Sequence, residues 1–201
     1  GGALADTRDL LRWEEEPSDP RIRAWLEDQP GGLIGRFWRD GTVRVAGREL
    51  NGLAESPCYQ RGAMSCLSCH SLHGYSDPAD QLAPGMGGDA ACLQCHADLA
   101  DRAEGHTRHA PGTAGSGCYD CHMPHTTYGL FGAMRAHRVD SPDVATTVAS
   151  GRPNACNLCH ADRTLAWTAE YLSEWYGIPA PELDETERTV AAAVLWLLRG
   201  D

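Results

Sequence analysis

Four copies of one five-residue phrase constrain this chain more than any other feature. They read Cys66-Leu67-Ser68-Cys69-His70, Cys92-Leu93-Gln94-Cys95-His96, Cys118-Tyr119-Asp120-Cys121-His122 and Cys156-Asn157-Leu158-Cys159-His160. Cys-x-x-Cys-His is the attachment site of a c-type haem. The two thiols bond to the vinyl side chains, and the histidine that follows is placed to ligate the iron from the proximal side. Two intervening residues make about one helical turn, which sets both sulfurs against one porphyrin edge. A lone Cys-x-x-Cys also serves as half a zinc site or as a redox pair. Neither requires histidine directly after the second cysteine, and a disulfide scaffold does not space its cysteines in four identical clamps. Four clamps therefore imply four covalently bound haem c groups, with His70, His96, His122 and His160 as proximal iron ligands.

Packing four porphyrins into about 95 residues leaves little room for an ordinary core or for long regular elements. The expected fold is mostly irregular and α-helical around a haem-dominated core. It has a small N-terminal β-hairpin, short helices at the Cys-x-x-Cys-His sites and two C-terminal helices. Residues 1–35 form an N-terminal helical segment, with Asp6-Thr7 and Ser18 or Asp19 as caps and Pro17 and Pro30 as stops. Residues 36–58 form the hairpin segment, read as strands over 36–50 with Asp40-Gly41 as a two-residue turn. Residues 59–163 form the tetrahaem domain, and residues 164–201 a C-terminal helical segment. In that segment one helix runs from Thr164 to Tyr176. A second, capped by Asp184 or Thr186, runs to Leu198 with Gly200 after it.

The clamps are not equivalent. The first three start 26 residues apart and the last 38 residues on, and copies one and three continue as Cys-His-x-x-His, giving His73 and His125. Copies two and four continue as Cys-His-Ala-Asp, so the region reads as two dihaem modules in tandem. Of nine histidines, five remain after the proximal four: His73, His106, His109, His125 and His137. All five lie inside the haem region, and four irons need four distal ligands. The internal repeat alone favours His125 alongside His73.

Bulk composition narrows the function. The net charge of -11 and pI near 5.2 make nucleic acid an unsuitable partner. Val190 to Leu198, the longest apolar run, is too short to cross a bilayer. Every basic residue is arginine. Eight of nine cysteines are taken by the clamps, and Cys58 is left over as a small buried hydrophobe. The chain carries neither an initiator methionine nor a signal peptide, which reads as a mature or trimmed product. Haem attachment of this kind places the protein outside the cytoplasm, in the periplasm, at the cell surface or in the extracellular space.

Residues 36–176 resemble the multihaem c-type cytochromes with doubled Cys-x-x-Cys-His motifs, including forms fused to helical repeats. The resemblance rests on Asp40-Gly41-Thr42-Val43-Arg44-Val45, Ser56-Pro57-Cys58-Tyr59 and Cys66 through His73-Gly74. It continues through His106-Thr107-Arg108-His109, Cys121-His122-Met123-Pro124 and Arg152-Pro153-Asn154-Ala155-Cys156. It implies electron transfer, and it suggests His73, His106, His109 and His137 as the distal ligands with His125 to spare.

An iron held by two protein ligands has no vacant position for substrate and only gains or loses electrons. The expected protein is thus an electron carrier with no catalytic residue. Its haems lack the methionine ligand that raises potential, and its partners are redox proteins. The rival class is an enzyme acting on small nitrogen compounds at one five-coordinate haem. Its lysine-ligated version is removed by the absence of lysine. A third reading has the subunits polymerise into a conductive extracellular filament, which the spare histidine and the apolar last helix permit.

Overall fold

The computed structural model describes residues 35–75, 77–78, 80–129 and 131–199. The two helices expected before Pro30, and Gly200, lie outside the described residues.

The Asp40-Gly41 turn forms, but with a three-residue loop. Gly41 takes φ +79° and donates its N–H to the Trp38 carbonyl at 2.9 Å, while Trp38 donates to Thr42 at 2.8 Å. A left-handed glycine closing a three-residue loop is the common alternative to the two-residue hairpin. Antiparallel pairing here is a single bridge, Phe37 to Val43, because the strand then turns to a new neighbour. Val45 pairs in parallel with Tyr128. Tyr128 belongs to the two-stranded antiparallel sheet, β1 (Thr127–Gly129) and β2 (Gly132–Met134), with Thr127 opposite Met134. Phe37, Trp38 and Val43 are buried, and the Trp38 indole N–H donates to the Thr126 carbonyl at 3.1 Å. The apolar face of the turn therefore lies on the haem region.

The end of the expected strand segment is helical instead. After Gly47 (φ +95°) the chain enters α1 (Glu49–Glu55), whose Leu53 and Ala54 are buried, and the Glu49 carboxylate accepts the Gly47 N–H at 2.8 Å. Leu50, Leu53 and Ala54 follow helical rather than alternating spacing, which overrides the strand reading. Helix α2 (Pro57–Arg61) follows with proline in its first turn.

The clamp region is built from pieces of one or two turns. A 3₁₀ turn covers Cys66–Ser68, then come α3 (Ala90–Leu93), a 3₁₀ stretch over Ala97–Arg102, α4 (Ala103–Thr107) and α5 (Cys118–His122). Between Pro57 and His122, Ala91 is the only buried apolar side chain among the described residues. A segment this long with so little side-chain core does not hold its shape by hydrophobic burial of its own residues.

The aliphatic core lies C-terminal to it. Helices α6 (Val144–Ser150), α7 (Ala155–Cys159), α8 (Leu165–Tyr176), α9 (Glu185–Thr189) and α10 (Ala192–Arg199) enclose Val144, Leu165, Ala169, Leu172, Ala192, Leu195 and Trp196. Thr164 caps α8 by accepting the Trp167 N–H, and Gly177 ends it in the left-handed conformation. The second C-terminal helix is split. Asp184 and Glu187 form a capping box on α9, and Val190 is extended. The break frees the N–H groups of Ala192 and Ala193 to donate to Arg163 and Ala161, just past the fourth clamp. On α10, Val194, Leu197 and Leu198 face solvent. No described helix is long and apolar enough to cross a membrane.

Candidate functional site

Each clamp folds as the phrase requires. The N–H of His70, His96 and His160 donates to the carbonyl of the first cysteine of its clamp at 2.9, 3.0 and 2.9 Å, and Cys118–His122 is one helical turn. None of the nine cysteines is in a disulfide. Burial, the largest cause in each case, raises the Cys69, Cys92 and Cys121 thiols and pushes Cys118 to about 12 and Cys156 to about 11. Thiols held protonated in this way are unlike the low-pKa thiolates of redox pairs.

Residues in and beside the phrases join one clamp to another. Gln94 donates to the Ser68 carbonyl at 3.1 Å, tying clamp two to clamp one. Asp89, just before α3, accepts the Cys118 N–H at 2.8 Å and ties clamp two to clamp three. Tyr119 hydrogen-bonds Cys69 of clamp one and donates its hydroxyl to the Met86 carbonyl at 2.8 Å. Cys121 lies within electrostatic reach of Cys156, and α5 packs on α7. The third clamp is thus the hub, touching the other three.

Three of the five spare histidines are brought against clamp histidines. His137 faces His70, His106 faces His122 and His109 faces His160, each with ring centres 6.1 Å apart, and their planes meet at 21°, 7° and 37°. An imidazole nitrogen sits about 2.0–2.1 Å from a bound metal such as zinc. With ring bonds of about 1.3 Å, like a peptide C–N, the ring centre lies about 1.1 Å behind that nitrogen. Two imidazoles gripping one metal from opposite sides are therefore about 6.2–6.4 Å apart, centre to centre, by the same metal–nitrogen distance. Other aromatic neighbours in the molecule range from 4.7 to 6.3 Å. The 6.1 Å spacing recurs in three pairs that each join one clamp histidine to one spare histidine, and it is compatible with two imidazoles sharing a metal, although His106–Tyr176 at 6.0 Å and Trp38–Tyr128 at 6.2 Å lie at similar distances.

The donor set agrees. His70 Nδ1 meets the Asp80 carbonyl at 2.9 Å, His122 Nδ1 the Asp140 carbonyl at 2.7 Å and His109 Nδ1 the Thr107 carbonyl at 2.6 Å. A carbonyl only accepts, so Nδ1 carries the proton and Nε2 presents its lone pair, the arrangement found behind metal-bound histidine. His137 bonds the Arg135 carbonyl, and burial holds its ring below the ordinary imidazole pKa, in the neutral form that binds metal. Among the described residues no three His, Cys, Asp or Glu side chains converge to hold a bare ion. Two opposed imidazoles suit a metal whose equatorial ligands come from a porphyrin. The residues present fit haem c.

His96 has no ring at this spacing among the described residues, and neither His73 nor His125 is brought to a clamp histidine. Both spare rings, like His96, are exposed. The Nδ1 acceptors escaped the sequence because a backbone carbonyl carries no side-chain signature. Asp89 and Gln94 escaped it because their partners are supplied by the fold.

Residues 59–101 match the family model of the doubled CXXCH motif. The match spans clamps one and two; clamps three and four repeat the phrase outside it. It implies covalently bound c-type haem and indicates a multihaem cytochrome-like chain working in electron transfer. No curated protein and no solved structure matches the chain.

Proposed function

We propose that this is a tetrahaem electron-transfer protein whose irons are held by imidazole on both faces. The observation that carries the proposal is the recurrence of a 6.1 Å ring spacing in three histidine pairs. In this reading His137, His106 and His109 are the distal ligands at clamps one, three and four. His73 completes clamp two, with His125 as the alternative. Six-coordinate irons exchange electrons and bind no substrate, and ligation by two histidines keeps their potentials low. The contacts of clamp three with the other three make its haem the junction of the wire.

The protein works outside the cytoplasm, with redox proteins as partners. The exposed Val194, Leu197 and Leu198 on α10 support assembly of subunits into a filament. Intact-mass measurement with low-temperature electron paramagnetic resonance tests the core of the proposal. Four added haems and low-spin ferric iron throughout are expected; fewer haems, or a substantial high-spin population, would overturn it. For the filament, Leu197→Glu with Leu198→Glu is expected to leave single subunits carrying all their haem. Unchanged filaments would remove α10 from the assembly.

A further inference from the structure

We propose that Arg152 and Asp140 form a positioning pair that fixes the ring plane of His122, and so the electronic state of the haem at the third clamp. The proposal rests on His122 and His106 being the two axial ligands there. Asp140 grips His122 from both sides of its own backbone. Its carbonyl accepts from His122 Nδ1 at 2.7 Å, and its N–H donates to the His122 carbonyl at 3.3 Å. That peptide is held in turn by its side chain. Arg152 Nη2 donates to Asp140 Oδ2 at 2.8 Å, with Arg138 Nε at 3.6 Å from the same oxygen. The other carboxylate, Asp40, sits 3.7 Å from Arg152 Nε and 3.8 Å from Arg138 Nη1. Two guanidinium groups thus alternate with two carboxylates, and Arg152 is 7 % exposed.

The local fold delivers Arg152 deliberately. Helix α6, capped by Asp143, ends at Gly151 in the left-handed conformation, and the next residue turns inward with its N–H on the Ser150 hydroxyl at 3.0 Å. Two residues later Asn154 caps α7 and opens the fourth clamp. A part-buried ion pair of this kind is weak evidence for stability, because desolvation offsets much of its attraction. It is better suited to specifying one geometry. The geometry it specifies is unusual within the molecule: the His106 and His122 planes are 7° apart, against 21° and 37° in the other two pairs. Parallel imidazole planes remove the near-degeneracy of the iron's two π-symmetry d orbitals, giving an ordinary rhombic low-spin signal; crossed planes restore it and stretch the g anisotropy. Holding Asp140 still therefore holds that splitting.

The test is electron paramagnetic resonance of the oxidised, fully loaded protein and its variants. Arg152→Ala is expected to convert one quarter of the low-spin intensity, that of the parallel pair, into a signal of larger g anisotropy. The other three quarters and the haem count stay unchanged. Arg152→Lys, which keeps the charge, restores part of the rhombic signal. Should Arg152→Ala fail to accumulate, Asp140→Asn keeps the backbone carbonyl and weakens the charged pair, and a shift in the same direction but smaller than that of Arg152→Ala is expected. An unchanged spectrum in whichever variant loads four haems overturns the proposal. A native protein lacking the rhombic low-spin signal would instead overturn the axial assignment on which it rests.

Discussion

His106 and His122 lie with ring centres 6.1 Å apart and planes 7° from parallel. Neither residue owes this to the other. His122 is set by the turn of its clamp and the Asp140 carbonyl. His106 is set by α4 and by the Tyr176 hydroxyl, which donates to its backbone carbonyl from the end of α8. Two distant segments bring the rings together, so the pairing is a product of the fold rather than of local sequence.

On the proposed ligation, replacing one of the paired spare histidines should open one iron and no other. His106→Ala is expected to turn one quarter of the iron high-spin while the haem count stays at four. His109→Ala and His137→Ala behave likewise at clamps four and one. Spin quantitation on each variant checks this, and a variant that stays fully low-spin excludes that residue as a ligand.

Helix α1 is pressed against the backbone of His137 and Arg138. A Cβ on Gly52 would come 2.8 Å from the Arg138 backbone nitrogen and 3.1 Å from the His137 carbonyl carbon. The buried Ser56 hydroxyl holds the same segment, accepting the Val139 N–H at 2.8 Å. Gly52→Ala is therefore expected to cost about 1–3 kcal/mol, as overpacking does, and to perturb the clamp-one haem alone. Denaturant titration reads the first effect, and the low-spin spectrum the second.

The C-terminal core stabilises clamp four. Leu165 is fully buried in it, and partly buried Cys156 packs against the same cluster. Leu165→Ala is expected to cost about 2–5 kcal/mol without changing the haem count, measured by equilibrium unfolding of the loaded protein.

Attachment of haem should decide which parts fold. The described residues of 57–122 bury almost no apolar side chain of their own, whereas α6, α8 and α10 share a core made of protein alone. With the clamp cysteines replaced by alanine, amide exchange is expected to lose protection across the first three clamps. It persists longest in α8. Uniform protection would show that the clamp region folds without its cofactor.

Much of this was legible in the sequence, for reasons that differ by residue. The four clamps are local chemistry, so spacing alone identifies them. The helix beginning at Thr164 is a local feature, and of the two cap candidates Asp184 and Thr186 the structure uses Asp184. The hairpin was less legible because Tyr128, some 80 residues away, draws Val45 out of the ladder. The last helix breaks at Val190 because its amides find carbonyls beside clamp four, a partner no periodicity encodes. The ring pairs needed the fold altogether. Nothing local links His137 to His70, and the Asp140 carbonyl behind His122 is invisible to any residue pattern.

The most direct measurement of the central claim is spin quantitation of the fully oxidised protein against its iron content at low temperature. Low-spin ferric signals accounting for all the iron are predicted, with four irons per chain. A high-spin ferric signal carrying a quarter of the iron or more would contradict the account.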